Sequence, residues 1–228
     1  NYLGGPEVDE SGLIEFRQTG TALIKAPDGH HEKVTPLLEE LNIPHEHWDL
    51  EKLSERLPIL DHGVFGPPSR PDDDSFWADP TDNIVGALFT PESGYVSDPQ
   101  LSSHNLQRAA ESCGAEFRFG QKVISINKEG NQTTGVGLED GTQIESPVVI
   151  NVAGPHSYII NDLAGLTGTM NITTKALRHE VHHVPSPEGF NFEANGMHVS
   201  DGDAAVYFRP ATGNNILIGS EDPECDVK

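Results

Sequence analysis

Basic residues are scarce in this chain. Fourteen lysines and arginines stand against 36 aspartates and glutamates, for a formal charge of −22. That balance argues against nucleic acid and anionic membranes as partners, because their phosphates would be repelled. Cysteine is scarce as well. Cys113 and Cys225 lie far apart and make neither a disulfide framework nor a zinc site. No apolar run approaches the roughly 20 residues that span a bilayer. Asn1 to Pro6 has no basic flank and no apolar stretch, so no signal peptide is read there. The expectation is a soluble, cytoplasmic protein.

Several catalytic signatures are missing too. The sequence has no Gly-x-Ser-x-Gly elbow, no Walker loop and no HExxH motif. Its single Gly-x-Gly, Gly135-Val136-Gly137, falls inside a predicted strand, and no complete Gly-x-Gly-x-x-Gly occurs. Histidines cluster at His30-His31, at His45 and His47, and at His179 with His182-His183. No carboxylate or cysteine joins them at a metal-ligand spacing, so exposed or hydrogen-bonded histidine is the default and no metal is expected.

What is present is a chain of 228 residues, enough for one large or two modest domains. The most informative stretch runs from Val148 to Gly165. Val148 to Val152 reads as a buried parallel strand, Gly154 as a tight bend, and Pro155 as the first position of a helix. A strand end feeding a helix start is where α/β sheets bind nucleotides, although many such units bind nothing.

Elsewhere, Gly12 to Phe16 and Thr21 to Lys25 read as a strand pair. Helices are predicted from His30 to Leu41, from Leu50 to Leu57 behind an Asp49 cap, and from Pro99 to Gly114 behind an Asp98 cap. In the last of these, Leu101, Leu106, Ala109, Ala110 and Cys113 are expected on the buried face. His62 to Pro80 reads as a long exposed loop, and Ile84 to Phe89 as a strand. Three strands follow, Gln121 to Asn127, Gln132 to Leu138 and Thr142 to Ile150, with turns at Gly130 and Asp140-Gly141. Ala176 to Val184 is strand-like, Ser186 to Gly196 is irregular, and Ala204 to Arg209 forms a hairpin with Asn215 to Gly219.

Within that hairpin, alternation puts Tyr207 and Arg209 on one face of a strand. Together they could hold a carboxylate, the arginine through two hydrogen bonds. The competing reading is an arginine packed over an aromatic ring. Ser157, just after the glycine bend, could imitate a nucleophile, but no triad assembles around it.

The order of these motifs resembles the FAD-dependent oxidoreductases of the D-amino-acid-oxidase superfamily. The branch holding sarcosine oxidase, glycine oxidase and dimethylglycine dehydrogenase is the most similar. Gly20 to Ala26 resembles the family's "G-x-L-x-x-A" pattern, and Trp48 to Pro58 its "L-D-x-x-E-L…P" helix. Gly94-Tyr95-Val96-Ser97-Asp98-Pro99 resembles its "G-Y-V-D-P" helix entry, and Gly114 to Ile126 its "G-A…V-x-x-I". Val148 to Ser157 resembles "V-V-N-A-A-G-P-W-S", with Val152 and His156 as departures, and Tyr207 to Gly219 resembles "Y-x-R-P…G-x-x-x-x-G".

The resemblance implies an α/β plus antiparallel β fold. A partial FAD-binding, glutathione-reductase-like domain (94–174) would be flanked by two segments of a mostly antiparallel substrate domain (10–93 and 175–228). It implies FAD as cofactor, met by Val123 through its backbone and passed by Ala153, Gly154 and Pro155. It implies an amine or amino-acid substrate near Tyr207 and Arg209, oxidised by hydride transfer from the carbon beside nitrogen. The family's diphosphate-binding unit is not in the sequence, so the chain reads as the middle piece of a longer enzyme. Two rivals stand beside this reading: a flavin-free binding protein on the same scaffold, and a hydrolase using Ser157.

Overall fold

The computed structural model describes residues 9–27 and 29–221. Cys225 lies outside them. Among the described residues no helix is long and apolar enough to cross a membrane. The chain divides into two compact units, one running up to Ala109 and resuming at His179, the other covering Ala110–Arg178.

The first unit is built on a seven-stranded sheet. In chain order its strands are β2 (Thr21–Lys25), β3 (Glu46–Trp48), β4 (Gly86–Thr90), β9 (Val181–Pro185), β10 (His198–Asp201), β11 (Val206–Ala211) and β12 (Asn215–Ser220). Their spatial order is β3-β4-β2-β10-β11-β12-β9, antiparallel throughout except for the parallel pair β2 and β10. A separate ribbon pairs β1 (Phe16–Arg17) with β5 (Tyr95–Val96).

Alternation sorts the sheet's two faces. Ala22, Ile24, Ala87, Phe89, Val199 and Ile216 are buried on one of them. They pack against α2 (Leu50–Arg56), which contributes Leu53 and is followed at its C-cap by Leu57, and against α5 (Phe192–Asn195), which contributes Phe192. Each of the larger of these side chains contributes roughly 1.5–3 kcal/mol by leaving water. Local chemistry sets the helix starts: Asp49 accepts the Lys52 N–H at 2.8 Å, and Asn191 accepts that of Ala194 at 2.9 Å. Trp48 stacks on Phe89 at 4.0 Å, closing the core beneath β3 and β4. Helix α1 (His30–Glu40) precedes β3.

Helix α3 (Pro99–Ser112) begins where Asp98 accepts the N–H groups of Gln100 and Leu101. Its buried stripe differs from the expected one. Asn105 is the fully buried residue, while Leu106 and Cys113 are exposed. Asn105 donates to Asp9 and to the Gly12 carbonyl, and accepts the Ile14 N–H at 2.7 Å. A polar side chain is therefore the anchor, which an apolar-periodicity reading cannot see. The same bonds correct the expected strand at Gly12 to Phe16. The Gly12 carbonyl and the Ile14 N–H go to Asn105 in place of a ladder, and Phe16–Arg17 pairs with β5 and not with Thr21–Lys25.

The second unit holds a meander of β6 (Val123–Glu129), β7 (Gln132–Leu138) and β8 (Gln143–Glu145), with turns at the two predicted sites. The predicted third strand stops early. Val148, Ile150 and Val152 are 65%, 78% and 85% exposed, and no described strand pairs with them. A buried parallel strand needs neighbours along both edges. Here local side chains take the backbone instead: Ser146 donates to the Val148 carbonyl, and Asn151 accepts the Ala153 N–H. A 3-10 turn (Gly154–His156) leads into α4 (Ser157–Leu163).

The loop from His62 to Pro80 is largely exposed, with one 3-10 turn at Asp74–Trp77. The Asp203 carboxylate ties down its start by accepting the N–H groups of Phe65 and Gly66 at 2.7 and 3.0 Å.

Candidate functional site

The sheet face opposite the core carries the polar chemistry of the first unit. Tyr207 and Arg209 alternate with Phe208 on β11; Phe208 packs into the core, so the other two project from the opposite face. Register places Leu217 beside Arg209, with His183 one strand further on, and Ser200 and Gly219 beside Tyr207.

Gly219 is required by this arrangement. A β-carbon there would stand 2.3 Å from the Tyr207 ring and hydroxyl. Tyr207 thus lies flat across the neighbouring strand. Its other contact is His198, whose ring stacks on it at 6.2 Å and 27°. Burial, and then the positive charge of Arg209, hold the His198 imidazole below its ordinary pKa, against a weaker opposing pull from Glu221. His198 is therefore neutral near pH 7.

Arg209 is half-buried and held in two ways. Its guanidinium carbon lies 4.6 Å from the centre of the Tyr95 ring, and its Nη1 donates to the Pro210 carbonyl at 2.9 Å. The arginine-over-aromatic reading thus describes a real contact. One face of the guanidinium is spent on the ring and one N–H on the backbone, out of five N–H donors.

The residues expected beside a cofactor all lie in the second unit. Val123 opens β6 opposite Leu138, with a register shift between it and Ser125. Ala153, Gly154 and Pro155 are exposed at the bend before α4. Gly154 adopts φ +56°, and a side chain built there would meet nothing within 4 Å. The backbone of the bend is therefore open and free of side-chain cover.

Two other expectations can be placed. Among the described residues no group of three or more His, Cys, Asp or Glu side chains could hold a metal ion. Ser157 is the first residue of α4. Its carbonyl accepts from Asn151, and no histidine or carboxylate contacts its hydroxyl among the described residues. Tyr95 and His198 were not among the predicted site residues. Tyr95 sits inside a motif read as a helix entry, and His198 in a strand, β10, that was not predicted. The signal for both was the return of non-consecutive strands to one sheet face, which spacing alone does not carry.

Comparison with known proteins resolves the family. Residues 6–227 match DAO, the FAD dependent oxidoreductase family. The chain belongs to this family. Solved structures share its fold at low identity. L-proline dehydrogenase from P. horikoshii aligns with TM-score 0.67 and 17% identity, over 93% of this chain and 52% of that one. Glycine oxidase from Bacillus cereus aligns with TM-score 0.62 and 20% identity, over 92% and 50%. Iminodiacetate oxidase from Chelativorans sp. aligns with TM-score 0.61 and 15% identity, over 97% and 55%. The chain therefore spans about half the length of these structures. Its mixed α/β fold with mostly antiparallel sheets matches theirs.

Proposed function

We propose that this chain is part of an FAD-dependent oxidoreductase that oxidises the C–N bond of an amino acid or N-methylated amine. The observation that carries the reading is the single sheet face on which Arg209, Tyr207 and His198 stand together. Arg209 receives the substrate carboxylate through its remaining N–H donors. Tyr207 offers a hydroxyl to the same group and a flat ring to the substrate's carbon skeleton. His198, uncharged, adds no second cation to compete for the carboxylate and no repulsion toward the amine.

FAD, when bound, supplies a two-electron acceptor that takes hydride from the carbon beside nitrogen, and water hydrolyses the resulting imine. Val123, through its backbone, and the open bend Ala153-Gly154-Pro155 are the groups of this chain that would meet it. The chain's own task is to fix the substrate by its carboxylate, so that binding energy away from the reacting carbon sets its orientation.

The test begins with the absorbance spectrum of the purified full-length protein and an FAD titration. Micromolar FAD binding is expected, and its absence supports the flavin-free rival. In the flavoprotein, Arg209→Ala is expected to raise KM for an amino-acid substrate at least tenfold, in line with a lost charge-assisted hydrogen bond of about 1.5–3 kcal/mol. An unchanged KM removes Arg209 from the site.

A further inference from the structure

We propose that Tyr95 is a positioning residue for Arg209, and that Arg17 and Glu193 hold Tyr95 in place. The inference rests on the reading of Arg209 as the carboxylate-binding group.

Tyr95 is paired across the β1–β5 ribbon with Arg17. The two strands meet closely because residue 94 is glycine: a β-carbon there would stand 2.0 Å from the Arg17 carbonyl oxygen. Directly opposed in this antiparallel pair, the Tyr95 and Arg17 side chains stand next to each other on one face of the ribbon. Arg17 reaches Glu15 through Nε at 3.1 Å and Glu193 through Nη1 at 3.6 Å. Glu193 is fixed in turn, since its Oε2 accepts the Asn214 N–H at 2.8 Å. Asn214 lies in the turn between β11 and β12, and β11 carries Arg209. The contacts therefore close a circuit that leaves the hairpin at Asn214 and returns to it at Arg209. All of it lies within one compact unit.

The chemistry of this circuit matters as much as its shape. A long arginine side chain loses much rotamer freedom when it grips a ligand, and prior restraint removes that cost from the binding step. A carboxylate could restrain Arg209, but it would also neutralise it and compete with the substrate. An aromatic face restrains the guanidinium and leaves its N–H edge unoccupied. The circuit assigns its carboxylates, Glu15 and Glu193, to Arg17 and gives Arg209 the ring.

The test uses the full-length, FAD-loaded protein, N-methylglycine as substrate and acetate as a plain carboxylate probe followed by calorimetry. Tyr95→Leu is expected to raise KM five- to tenfold with kcat within twofold, and to weaken acetate binding by the same factor. Tyr95→Phe, which keeps the ring, is expected to stay within threefold. In an Arg209→Ala background, Tyr95→Leu is expected to add nothing. Unchanged acetate affinity in Tyr95→Leu, or an equal loss with and without Arg209, overturns the proposal. If Tyr95→Leu does not fold, Arg17→Met carries the same comparison, with a two- to threefold loss that needs Arg209 as the supporting result. Arg209→Ala alone separates the two levels. If it leaves acetate binding intact, the carboxylate reading has failed and positioning falls with it. If it weakens binding while Tyr95→Leu does not, positioning alone has failed.

Discussion

Gly219 sits directly across the β11–β12 ladder from Tyr207, and the tyrosine ring occupies the space that a side chain at 219 would fill. Gly219→Ala is therefore expected to displace Tyr207 and leave the sheet standing, since the clashing atoms are the far end of a side chain. The cost should fall near the lower end of the roughly 1–3 kcal/mol typical of overpacking. Thermal unfolding is expected to drop by about 2–4 °C. Affinity for a carboxylate ligand should fall more steeply than stability does. A variant that loses stability but keeps full ligand affinity would take Tyr207 out of the site.

His198 makes a second prediction. Burial and the Arg209 charge favour its neutral form, so its folded pKa lies below the unfolded value. Its contribution to stability is present above about pH 6.5 and is lost as pH falls through the lowered folded value. In a proton NMR titration His198 is expected to titrate below the ordinary histidine range. Arg209→Ala should move it upward, and no movement would separate the two residues electrostatically.

Asp9 behaves with the same sign at lower pH. Burial raises its carboxyl, but hydrogen bonds from the Ser11 backbone, Asn105 and His104 outweigh that and hold it below its ordinary value. The stability it adds is present above about pH 3.9 and is lost as pH falls through the lowered folded value. Asp9→Asn is expected to flatten the acid limb of a plot of thermal midpoint against pH. An unaltered acid limb would show that this junction does not couple to folding.

The Asp203 clasp on the long loop gives a fourth. Asp203→Ala removes the acceptor for two backbone N–H groups, at a cost of about 1–3 kcal/mol if they stay dry. Limited proteolysis is expected to cut within His62 to Pro80 faster than in the parent, with the seven-stranded sheet retained by circular dichroism. Equal cutting rates would mean that the loop is held elsewhere.

The sequence was most legible where structure is local. The Asp49 and Asp98 caps, the Gly130 and Asp140-Gly141 turns and the β11–β12 hairpin all follow from neighbouring residues. It was least legible where partners are remote. Asn105 is anchored by Asp9 and Gly12, more than 90 positions away, and no apolar period announces a buried asparagine. Val148 to Val152 has the composition of a buried strand, yet burial depends on neighbours that composition does not name. For the site, alternation placed Tyr207 and Arg209 on one face. It could not show that Tyr95, from a ribbon more than a hundred residues earlier, supplies the ring beneath Arg209.

The parallel seam between β2 and β10 has a consequence for how the molecule is made. Thr21 to Leu23 pairs with His198 to Ser200, so the middle of the sheet closes only after the chain through β10 has left the ribosome. Until then the partial sheet β3-β4-β2 leaves the β10-facing edge of β2 unpaired, and the whole of Ala110–Arg178 has been synthesised in the interval. Such distant closure is slow and leaves an unpaired edge exposed to other nascent chains. The first unit is thus begun before the second and finished after it, and its yield in a cell should respond to chaperones that shield strand edges during that wait.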